Sequence, residues 1–539
     1  MALAVEHWAD RLAAKWIEKR GKKHRVEIGW SPSGPMHIGF LREMILGDVL
    51  HRALRDRGAE VRFNLFVDSC DPLRDRERDG KPWFPFLPES FKEYVGRPVA
   101  SIPDPEGCHQ SYVEHFLAPV RGYMDDLGMH PEVDLSHQVY RSGHLAPQIT
   151  AVLENLDLVR RIVAEVSERE VPPVWTGLSA ICSNCGRVDQ NEITGWDTGR
   201  CMVKYKCRCG HSGDADYRKG QVKMSWRLDW PARWAALGVT VEPFGKDHAA
   251  AGGAYQSGAR LMKEVFDVPP PEPVVYEWIN DRDGKPFSSS TGNVIDPGEL
   301  LRSAQPEVLR YYILSKRPGK AIRFDPGRDL LDTYREYERI EAAVLGPESS
   351  EGEISPASRR NYELSQVGAN VDRSPVAIPY RNLISLIQIS GSDRDRLKGS
   401  MVRAGYGQAL SRWESIEPKV RCAENWIRAY APPEERMELK PDLPVEVQSL
   451  SQEQRLFLRA LGDYMEQEER DAEEIHNQIY HLTRQRTGLD PKLAFQAVYV
   501  VFLGKERGPR AGWFLRSLDP DFAVQRLKNA LDCEPGDPG

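Results

Sequence analysis

The sequence has no long apolar run, few cysteines and no excess of positive charge. No stretch approaches the roughly 20 consecutive apolar residues that a membrane span needs, and the charged segment Glu6–Arg25 predicts an amphipathic helix rather than a signal peptide. Nine cysteines among 539 residues are too few for a disulfide scaffold. The net charge of −7 argues against a protein that coats nucleic acid indiscriminately, although it permits a shaped RNA partner. These absences predict a cytoplasmic protein with no membrane contact.

The remaining composition, 40% hydrophobic and 28% charged, is that of an ordinary globular protein. Its 539 residues exceed the roughly 250–300 at which a single core stops growing, so at least two domains are expected. We predict a catalytic domain at 1–330 and an all-α domain at 331–539, because helical periodicity takes over there. Residues 346–368 predict a flexible connector. The clearest helical segments are Leu330–Leu345, Tyr380–Ile389, Gln452–Met465 and Lys492–Phe502.

Strand, turn, helix and strand signals follow one another near the N-terminus. Arg25–Trp30 is typical of a short strand, Pro32–Pro35 of a turn, and His37–Leu54 of one apolar helical face. Val61–Val67 then predicts a second strand. This order is one βαβ unit of a parallel sheet that carries helices on both faces. Two later alternating segments predict further strands: Val239–Phe244 and Val274–Ile279.

The turn before the predicted helix contains the sharpest chemical signal, Pro32-Ser33-Gly34-Pro35-Met36-His37-Ile38-Gly39. A helix N-terminus presents unpaired N–H groups and a positive dipole end, so phosphates bind there readily. Gly34 and Gly39 permit close approach of a nucleotide, and His37 can donate a hydrogen bond to a phosphate oxygen. A buried turn with an incidental histidine is the alternative, and the context of strand, turn and helix argues against it.

A second motif, Gly284-Lys285-Pro286-Phe287-Ser288-Ser289-Ser290-Thr291-Gly292-Asn293, follows the last predicted strand. Three hydroxyls and a lysine suit a loop that closes over a triphosphate, with Lys285 supplying positive charge to the leaving pyrophosphate. A serine-rich surface turn explains the same residues taken alone. The position after the last strand favours the functional interpretation.

These two motifs resemble the HIGH and KMSKS signatures of class I aminoacyl-tRNA synthetases, the second in its KMSSS form. Within that class the chain is similar to the class I lysyl-tRNA synthetases over nearly its whole length. Supporting stretches are Asp68–Arg74, Ile102–Pro105, Trp226–Trp234, Phe244–His248, Tyr276–Ile279 and Leu503–Arg510. The resemblance implies a Rossmann-like α/β catalytic domain that ligates lysine to tRNA(Lys) through lysyl-adenylate, with ATP and Mg²⁺, and an all-α domain that binds the anticodon. Nothing in the sequence demands a dimer, and a monomer is expected.

The resemblance also implies site residues. For ATP these are Pro32, Gly34, His37, Gly39, Asp247, Lys285 and Ser289, and the catalytic set is His37, Lys285, Ser288, Ser289 and Ser290. For lysine they are Gly29, Ser31, Asp68, Trp226, His248 and Tyr276. A lysine substrate needs an aromatic wall for its stem and a carboxylate for its ammonium. Asp68, Asp71 and Glu277 all stay open as that carboxylate, with Trp226, Trp278 and Tyr276 as the wall.

The sequence departs from the signatures at four positions, Phe40, Pro286, Phe287 and Thr291. These departures leave open a synthetase-like paralogue that activates another amino acid or acylates an acceptor other than tRNA. They also leave open an RNA-binding protein without ATP chemistry. The five candidate RNA contacts in the helical domain are Trp426, Tyr430, Arg507, Arg510 and Trp513, each equally compatible with core or surface.

An irregular segment, 75–225, interrupts the predicted catalytic domain and contains a cysteine cluster. Its knuckle, 182–209, brings two close pairs, Cys182 with Cys185 and Cys207 with Cys209, which can close a tetrahedral thiolate site around structural Zn²⁺. The tight second pair leaves Cys201 or His211 open as a replacement ligand, and free buried cysteines are the alternative. The Trp-rich segment Trp226–Trp234 that follows is predicted as a strand.

Overall fold

The computed structural model describes residues 6–76, 80–287, 295–346, 354–368, 378–391, 393–484 and 488–532. The chain divides into two compact units. The first consists of Met1–Leu301, Leu309–Asp325 and Ile354–Ala369, and the second of Arg302–Val308, Pro326–Glu353 and Asn370–Gly539. The domain boundary predicted at residue 330 lies close to the break after Asp325.

The strands are β1 (Lys23–Trp30), β2 (Glu60–Val67), β3 (Glu132–Leu135), β4 (Leu178–Ala180), β5 (Asn191–Asp197), β6 (Met202–Cys207), β7 (Ser212–Asp216), β8 (Val222–Met224), β9 (Val241–Gly245), β10 (Glu272–Tyr276), β11 (Ile279–Asn280) and β12 (Ile322–Arg323). The helices are α1 (Trp8–Arg20), α2 (Ile38–Asp56), α3 (Tyr112–Asp126), α4 (Ser136–Arg141), α5 (Ala146–Glu154), α6 (Leu156–Ser167), α7 (Trp226–Leu237), α8 (Lys246–Ala249), α9 (Ala254–Glu264), α10 (Pro297–Ser303), α11 (Pro306–Leu314), α12 (Asp329–Leu345), α13 (Pro356–Ser365), α14 (Tyr380–Ser390), α15 (Arg394–Met401), α16 (Trp413–Ala429), α17 (Gln452–Gln467), α18 (Ala472–Leu482), α19 (Pro491–Leu503), α20 (Ala511–Ser517) and α21 (Pro520–Asn529).

A parallel sheet in the order β10-β9-β1-β2-β3 forms the centre of the first unit. In order along the chain this is the 3-2-1-4-5 arrangement of a doubly wound fold. Helix α2 packs closely on β1, since a methyl group on Gly47 would lie 2.5 Å from Ile28 Cγ2. The predicted Rossmann-like parallel sheet is confirmed. Segment 75–225, predicted as irregular, contributes the edge strand β3 and helices α3 to α6 before its small antiparallel sheets begin.

The predicted strand at Trp226–Trp234 is wrong, because this segment begins helix α7. Trp226, Trp230 and Trp234 recur every four residues, which places their rings on one helical face. Gly238 in the left-handed conformation ends the helix. The strand prediction followed the high β propensity of tryptophan, although the four-residue spacing of the tryptophans indicates a helix.

The connector predicted at residues 346–368 is also partly wrong. Residues 347–353 lie outside the described part, but Pro356–Ser365 is helix α13, with Ser355 as its N-cap. The buried guanidinium of Arg310 donates to the carbonyls of Leu364 and Ser365, at 2.8 and 3.1 Å, and ties this helix to the first unit. A Ser-Pro pair at the start of a helix is a recognisable N-terminal signal.

The second unit is helical, and no strand occurs among its described residues. The four helices predicted from periodicity correspond to α12, α14, α17 and α19, so the all-α C-terminal region is confirmed. Capping boxes start two of its helices, with Ser451 and Gln454 at α17 and Asp471 and Glu474 at α18. Across the described ranges, none of the helices combines the length and apolar character required to traverse a bilayer.

Candidate active site

His37 caps α2 with its own side chain. Its Nδ1 accepts a hydrogen bond from the backbone N–H of Gly39 at 3.0 Å, so the neutral ring carries its proton on Nε2. Burial lowers the pKa of His37 and favours this neutral form. No described residue hydrogen-bonds to Nε2. The ring therefore has one N–H group left to offer a ligand.

The first N–H groups of α2 are already paired within the protein. Ile38 donates to the carbonyl of Ile295 at 3.2 Å, Gly39 to the His37 ring, and Phe40 to the His37 carbonyl at 3.1 Å. The expectation of unpaired N–H groups at this helix start is wrong for Ile38, Gly39 and Phe40. Their N–H groups donate to His37 and to the carbonyl of Ile295. What α2 still presents is the His37 Nε2–H and the positive end of its dipole.

A cleft of about 400 Å³ opens beside His37 at the carboxyl ends of β1 and β10. Strand order reverses between β1 and β9, and ligands of doubly wound sheets bind at such a switch point. Gly34 admits the ring of Phe86 under the turn, since a methyl group there would lie 2.4 Å from Phe86 Cζ. The lining residues are Gly29, Trp30, Ser31, Ser33, Gly34, Pro35, Met36, His37, Gly39, Phe40, Tyr276, Trp278, Ile279, Pro286 and Phe287.

The two signature motifs meet at this cleft. Pro286 and Phe287 line it together with His37, and Ile295, on the far side of the serine segment, contacts the start of α2. Ser288, Ser289 and Ser290 lie outside the described residues, as does Thr291. The described residues on both sides of the predicted closing loop thus lie beside the first motif.

Lys285 lies in a tight turn and is not among the residues that line the cleft. Its backbone N–H donates to Asp281 Oδ1 at 2.8 Å, and the Asp281 N–H donates back to the Lys285 carbonyl at 2.8 Å. Its side chain is exposed. The interaction of Lys285 with ATP stays a prediction.

Glu43 is a buried acid behind two residues of the cleft wall. One carboxylate oxygen accepts from the Gly29 N–H at 2.9 Å, and the other accepts from the Tyr276 hydroxyl at 2.6 Å. The residue is 8% exposed, and burial raises the pKa of its carboxyl to about 8. No Lys, Arg or His in the described ranges forms an ion pair with it. An acid that forms no ion pair with the described residues therefore lies directly behind Gly29 and Tyr276 of the cleft wall.

Arg233 forms a buried charge cluster under β1. Its guanidinium meets Glu27, Asp68 and Glu242 at 3.0, 3.2 and 3.1 Å, and all four side chains are at most 6% exposed. Burial raises the pKa of Glu27 to about 8 and that of Asp68 to about 7. Neighbouring carboxyls raise these pKa values further, and Arg233, one cation for three carboxyls, lowers them only in part. A methyl group on Gly29 would lie 2.9 Å from Arg233 Nη2, so the glycine lets the cluster approach the cleft floor.

The three carboxylates considered for the substrate ammonium all have internal cations. Asp68 pairs with Arg233, Asp71 with Lys223 at 2.9 Å, and Glu277 with Lys246 at 2.6 Å. Asp68 also accepts from the Ser31 hydroxyl at 3.3 Å and lines a narrow recess with Ser31, Pro32 and Asp71. Asp68 thus lies beside Ser31 at the edge of the cleft and is paired with Arg233, and its role in lysine binding stays a prediction.

Trp226 and His248 lie together at the end of β9. Their ring centroids are 5.8 Å apart, and Trp226 stacks on Trp230 at 5.1 Å. Asp247 is half exposed beside His248, with a carboxylate oxygen 3.5 Å from the His248 Nε2. Trp278 lines the cleft and carries Lys246 Nζ 5.0 Å from its ring centroid. Of these residues only Trp278 lines the cleft, whereas Trp226, Asp247 and His248 lie outside its lining.

The four predicted zinc cysteines converge. Cys182 Sγ lies 3.7 Å from Cys209 Sγ, Cys185 Sγ lies 3.7 Å from Cys207 Sγ, and all four sulfurs are within 4.8 Å of one another. Cys182 and Cys185 follow β4, whereas Cys207 ends β6 and Cys209 lies in the turn from β6 to β7. The alternative ligand His211 instead bonds Ser183 Oγ through Nε2 at 2.9 Å.

Comparison with known proteins assigns the family. The family model described as "tRNA synthetases class I (K)" matches residues 6–368. A lysine--tRNA ligase of Archaeoglobus fulgidus is 39% identical over 525 residues, covering 97% of this chain and 100% of that protein. One of Methanosarcina barkeri is 38% identical over 545 residues, covering 98% of both chains, and one of Picrophilus torridus is 33% identical, covering 97% of this chain and 99% of that protein.

The chain belongs to the class I lysyl-tRNA synthetases. As a member of this family it is an aminoacyl-tRNA synthetase, an enzyme that uses ATP, and the predicted family is confirmed. Two features of this class I synthetase escaped the sequence analysis. Glu43 sits on the buried face of α2 among apolar neighbours, and Arg233 lies in the segment mistaken for a strand. One signal in the sequence was available for Glu43 and Arg233. Each is a charged residue at a position that the helical period predicts to be apolar.

Proposed function

We propose that this cleft activates lysine as lysyl-adenylate and transfers it to tRNA(Lys). The supporting observation is that the cleft joins both signature segments and has, behind Gly29 and Tyr276, an acid without an internal cation. The relatives named lysine--tRNA ligase span the chain almost completely, which favours lysine and tRNA over the paralogue alternative.

In this proposal Glu43 and Tyr276 receive the substrate ammonium. The Tyr276 hydroxyl donates its proton to Glu43, so the phenolic oxygen keeps lone pairs that accept from an ammonium in the cleft. The carboxyl is mostly protonated near neutral pH because its pKa is about 8. An incoming cation favours the ionised form, so lysine binding displaces the proton. Selectivity for a cationic side chain follows, because an uncharged analogue leaves the acid protonated and gains no ion pair with it.

The carboxylate of lysine attacks the α-phosphate, and pyrophosphate leaves. His37 donates its Nε2–H to a phosphate oxygen, where the hydrogen bond stabilises the growing charge. None of the described residues that line the cleft carries a carboxylate, so Mg²⁺ would be held by the phosphates and water, and would supply charge neutralisation. Positioning and electrostatics account for catalysis, with no protein base required.

The other predicted site residues keep supporting roles in the proposal. Ser31 and Asp68 border the narrow recess, and Arg233 orients Asp68 from below. Trp226 and His248 supply the aromatic wall at the end of β9, next to Asp247. Lys285, Ser288, Ser289 and Ser290 are assigned to closing the site over the triphosphate.

We assign a structural zinc to the cysteine cluster. A tetrahedral ion with Zn–S bonds of about 2.3 Å requires sulfur–sulfur separations of roughly 3.8 Å, and the two measured pairs lie at 3.7 Å. Four sulfurs complete the coordination shell, so the ion would stabilise the loops after β4 and β6 rather than take part in the reaction.

The second unit is proposed to bind the anticodon. A cleft of about 720 Å³ there is lined by Arg381, Arg436, Lys505, Arg507 and Arg510 beside Trp513, with Glu434, Glu435 and Glu473 also present. Cations and an aromatic ring suit an RNA loop whose bases are splayed out. Trp426 is excluded from base stacking, because it is fully buried and donates to the Pro326 carbonyl at 2.9 Å.

The function is tested with purified protein, radiolabelled lysine and tRNA(Lys). Lysine-dependent exchange of pyrophosphate into ATP, followed by charging of tRNA(Lys), is the expected result. Exchange with ornithine or arginine but not lysine would contradict the substrate, and exchange without charging would contradict the acceptor. Size-exclusion chromatography with light scattering tests the proposed monomer, and cell fractionation the proposed cytoplasmic location.

A further inference from the structure

A buried arginine of α2, Arg42, fastens two backbone segments to that helix. Its side chain is fully buried, and its guanidinium donates to four backbone carbonyls. Nη1 donates to the carbonyl of Glu277. Nη2 donates to three others, at 3.1, 3.0 and 2.8 Å, which are those of Arg317, Pro318 and Lys320. The two segments are distant in the sequence, so one side chain joins both of them to α2.

No carboxylate of the described residues forms an ion pair with Arg42, whose charge meets carbonyl dipoles instead. Glu277, whose carbonyl it holds, directs its carboxylate to Lys246 Nζ at 2.6 Å. Burial lowers the pKa of Arg42 to about 10, so the guanidinium is still charged at neutral pH. Burying a cation costs free energy, and an apolar side chain of similar size would pack α2 without that cost. This indicates a role beyond packing, in which a fork of donors holds backbone positions.

The segments that Arg42 holds carry one wall of the cleft. Glu277 joins β10 to β11, and the next two residues, Trp278 and Ile279, line the cleft. The Glu277 N–H donates to the Pro318 carbonyl at 2.9 Å, so the two segments also bond to each other beside the guanidinium. The second segment leads into β12, which pairs with β11.

From β11 the chain turns back into the second signature motif. Asn280 forms an isolated antiparallel bridge with Pro286, and both Pro286 and Phe287 line the cleft. Together with Trp278 and Ile279 they form the β11 wall of the cleft. The position of the β11 wall therefore depends on where α2 holds the start of β11.

The far side of the same motif is attached to α2 one turn earlier. The Ile38 N–H donates to the Ile295 carbonyl at 3.2 Å. Ile38 and Arg42 are four residues apart and hence lie on one face of the helix. The described residues on either side of the motif therefore meet the same face of the helix that His37 caps.

The lysine side of the cleft is held by other contacts. Tyr276 pairs with Gly245 in the register of β10 with β9, and its hydroxyl donates to Glu43. Gly29 lies within β1, which pairs along its whole length with β2. Because Arg42 takes no part in these contacts, its loss should disturb the β11 wall more than the proposed ammonium site.

We propose that Arg42 is a positioning residue for ATP, which sets the β11 wall in place against His37 by fastening the start of β11 and the segment 317–320 to α2. This role rests on the proposed function, because that function places ATP beside the second motif. A lysine side chain keeps the charge but has a single nitrogen in place of the fork. Arg42→Lys therefore removes the clamp without removing the cation.

Pyrophosphate exchange and lysine binding by Arg42→Lys provide the first test. The KM for ATP is expected to rise at least about tenfold, whereas the dissociation constant for lysine, measured by calorimetry without ATP, stays unchanged. Arg52→Lys is the matched control, since Arg52 of the same helix also donates to two carbonyls, those of Gly128 and Gln366, and neither lines the cleft. An unchanged KM for ATP, an equal rise in both constants, or the same rise in both variants would overturn the proposal.

Hydrogen exchange tests the clamp even if the proposed function fails. Three backbone N–H groups report on it, those of Glu277, Ile322 and Phe324, because each donates to a carbonyl of the other segment. Arg42→Lys is expected to speed their exchange at least about tenfold while α2 and β1 keep their protection. Absence of pyrophosphate exchange in wild type would refute the proposed function alone. Unchanged protection of the three groups, or faster exchange throughout α2 and β1 as well, would overturn the role of Arg42.

Discussion

The imidazole Nδ1 of His37 accepts the backbone N–H of Gly39 at 3.0 Å, so one side chain caps α2 and presents Nε2–H to the cleft. These two roles are separable by mutation, because asparagine is a good N-cap but cannot reproduce the Nε2 donor.

We expect His37→Asn to keep stability within about 0.5 kcal/mol of wild type and to slow lysine-dependent pyrophosphate exchange roughly 10²- to 10³-fold. His37→Ala should lose the same activity and about 1 kcal/mol of stability besides. Exchange rates and thermal melting of the three proteins provide the comparison. An asparagine variant as fast as wild type would show that Nε2 does not contact the reacting phosphates.

The Arg233 cluster predicts a pH-dependent loss of stability. Arg233→Met leaves three buried carboxyls without a cation and should cost about 3–5 kcal/mol. A carboxyl with a raised folded pKa binds its proton more tightly in the native state, so its contribution to stability is present at low pH and declines as pH rises. Removing the cation costs most where the carboxyls are ionised, so the loss should be larger at about pH 9 than at about pH 6, which lie above and below the raised pKa values near 7 and 8.

Urea unfolding of Arg233→Met at both pH values tests this, with Arg62→Met as the control. Arg62 forms an exposed pair with Glu132, and its loss should cost no more than about 1 kcal/mol at either pH. Equal costs for the two substitutions would mean that the buried cluster contributes no more than a surface pair.

The cysteine knuckle predicts a zinc-dependent insertion. Cys182→Ser should lose one equivalent of zinc and destabilise the insertion by several kcal/mol, because its strands are short and depend on the metal. Cys201→Ser, in the turn between β5 and β6 of the same insertion, is the matched control, since Cys201 Sγ contacts the Thr198 carbonyl and lies outside the cluster. Zinc content and proteolysis of the insertion are the measurements. Equal zinc in the two variants would refute the ligand assignment.

Arg510→Ala should weaken tRNA binding without touching amino-acid activation. Arg510 lines the cationic cleft of the second unit, so the KM for tRNA(Lys) is expected to rise about tenfold, while pyrophosphate exchange without tRNA stays unchanged. Arg516→Ala removes the same charge, but Arg516 pairs with Glu469 and lines a different recess. A similar rise for both variants would point to a general charge effect instead of a binding site.

Local periodicity and turn chemistry were sufficient to predict the parallel sheet, α2 and four helices of the second unit. They failed where long-range contacts decide structure: α7 is a helix because its tryptophans pack on one face, and α13 is ordered because Arg310 binds its carbonyls. The same contrast between local patterns and long-range contacts applies to the site residues. The motif turn and the cysteine cluster were predictable from spacing, whereas pairing of Asp68, Asp71 and Glu277 with internal cations required coordinates.

The proposed ammonium site is tested most directly by calorimetry of lysine binding near pH 7, in buffers of different ionisation enthalpy. Glu43 should release close to one proton when lysine binds, since its pKa is about 8 in the lysine-free protein. Glu43→Gln should abolish this release and weaken lysine at least about a hundredfold, with Tyr276→Phe intermediate. A glutamine variant that binds lysine with wild-type affinity, and a wild type that releases no proton, would contradict the assignment.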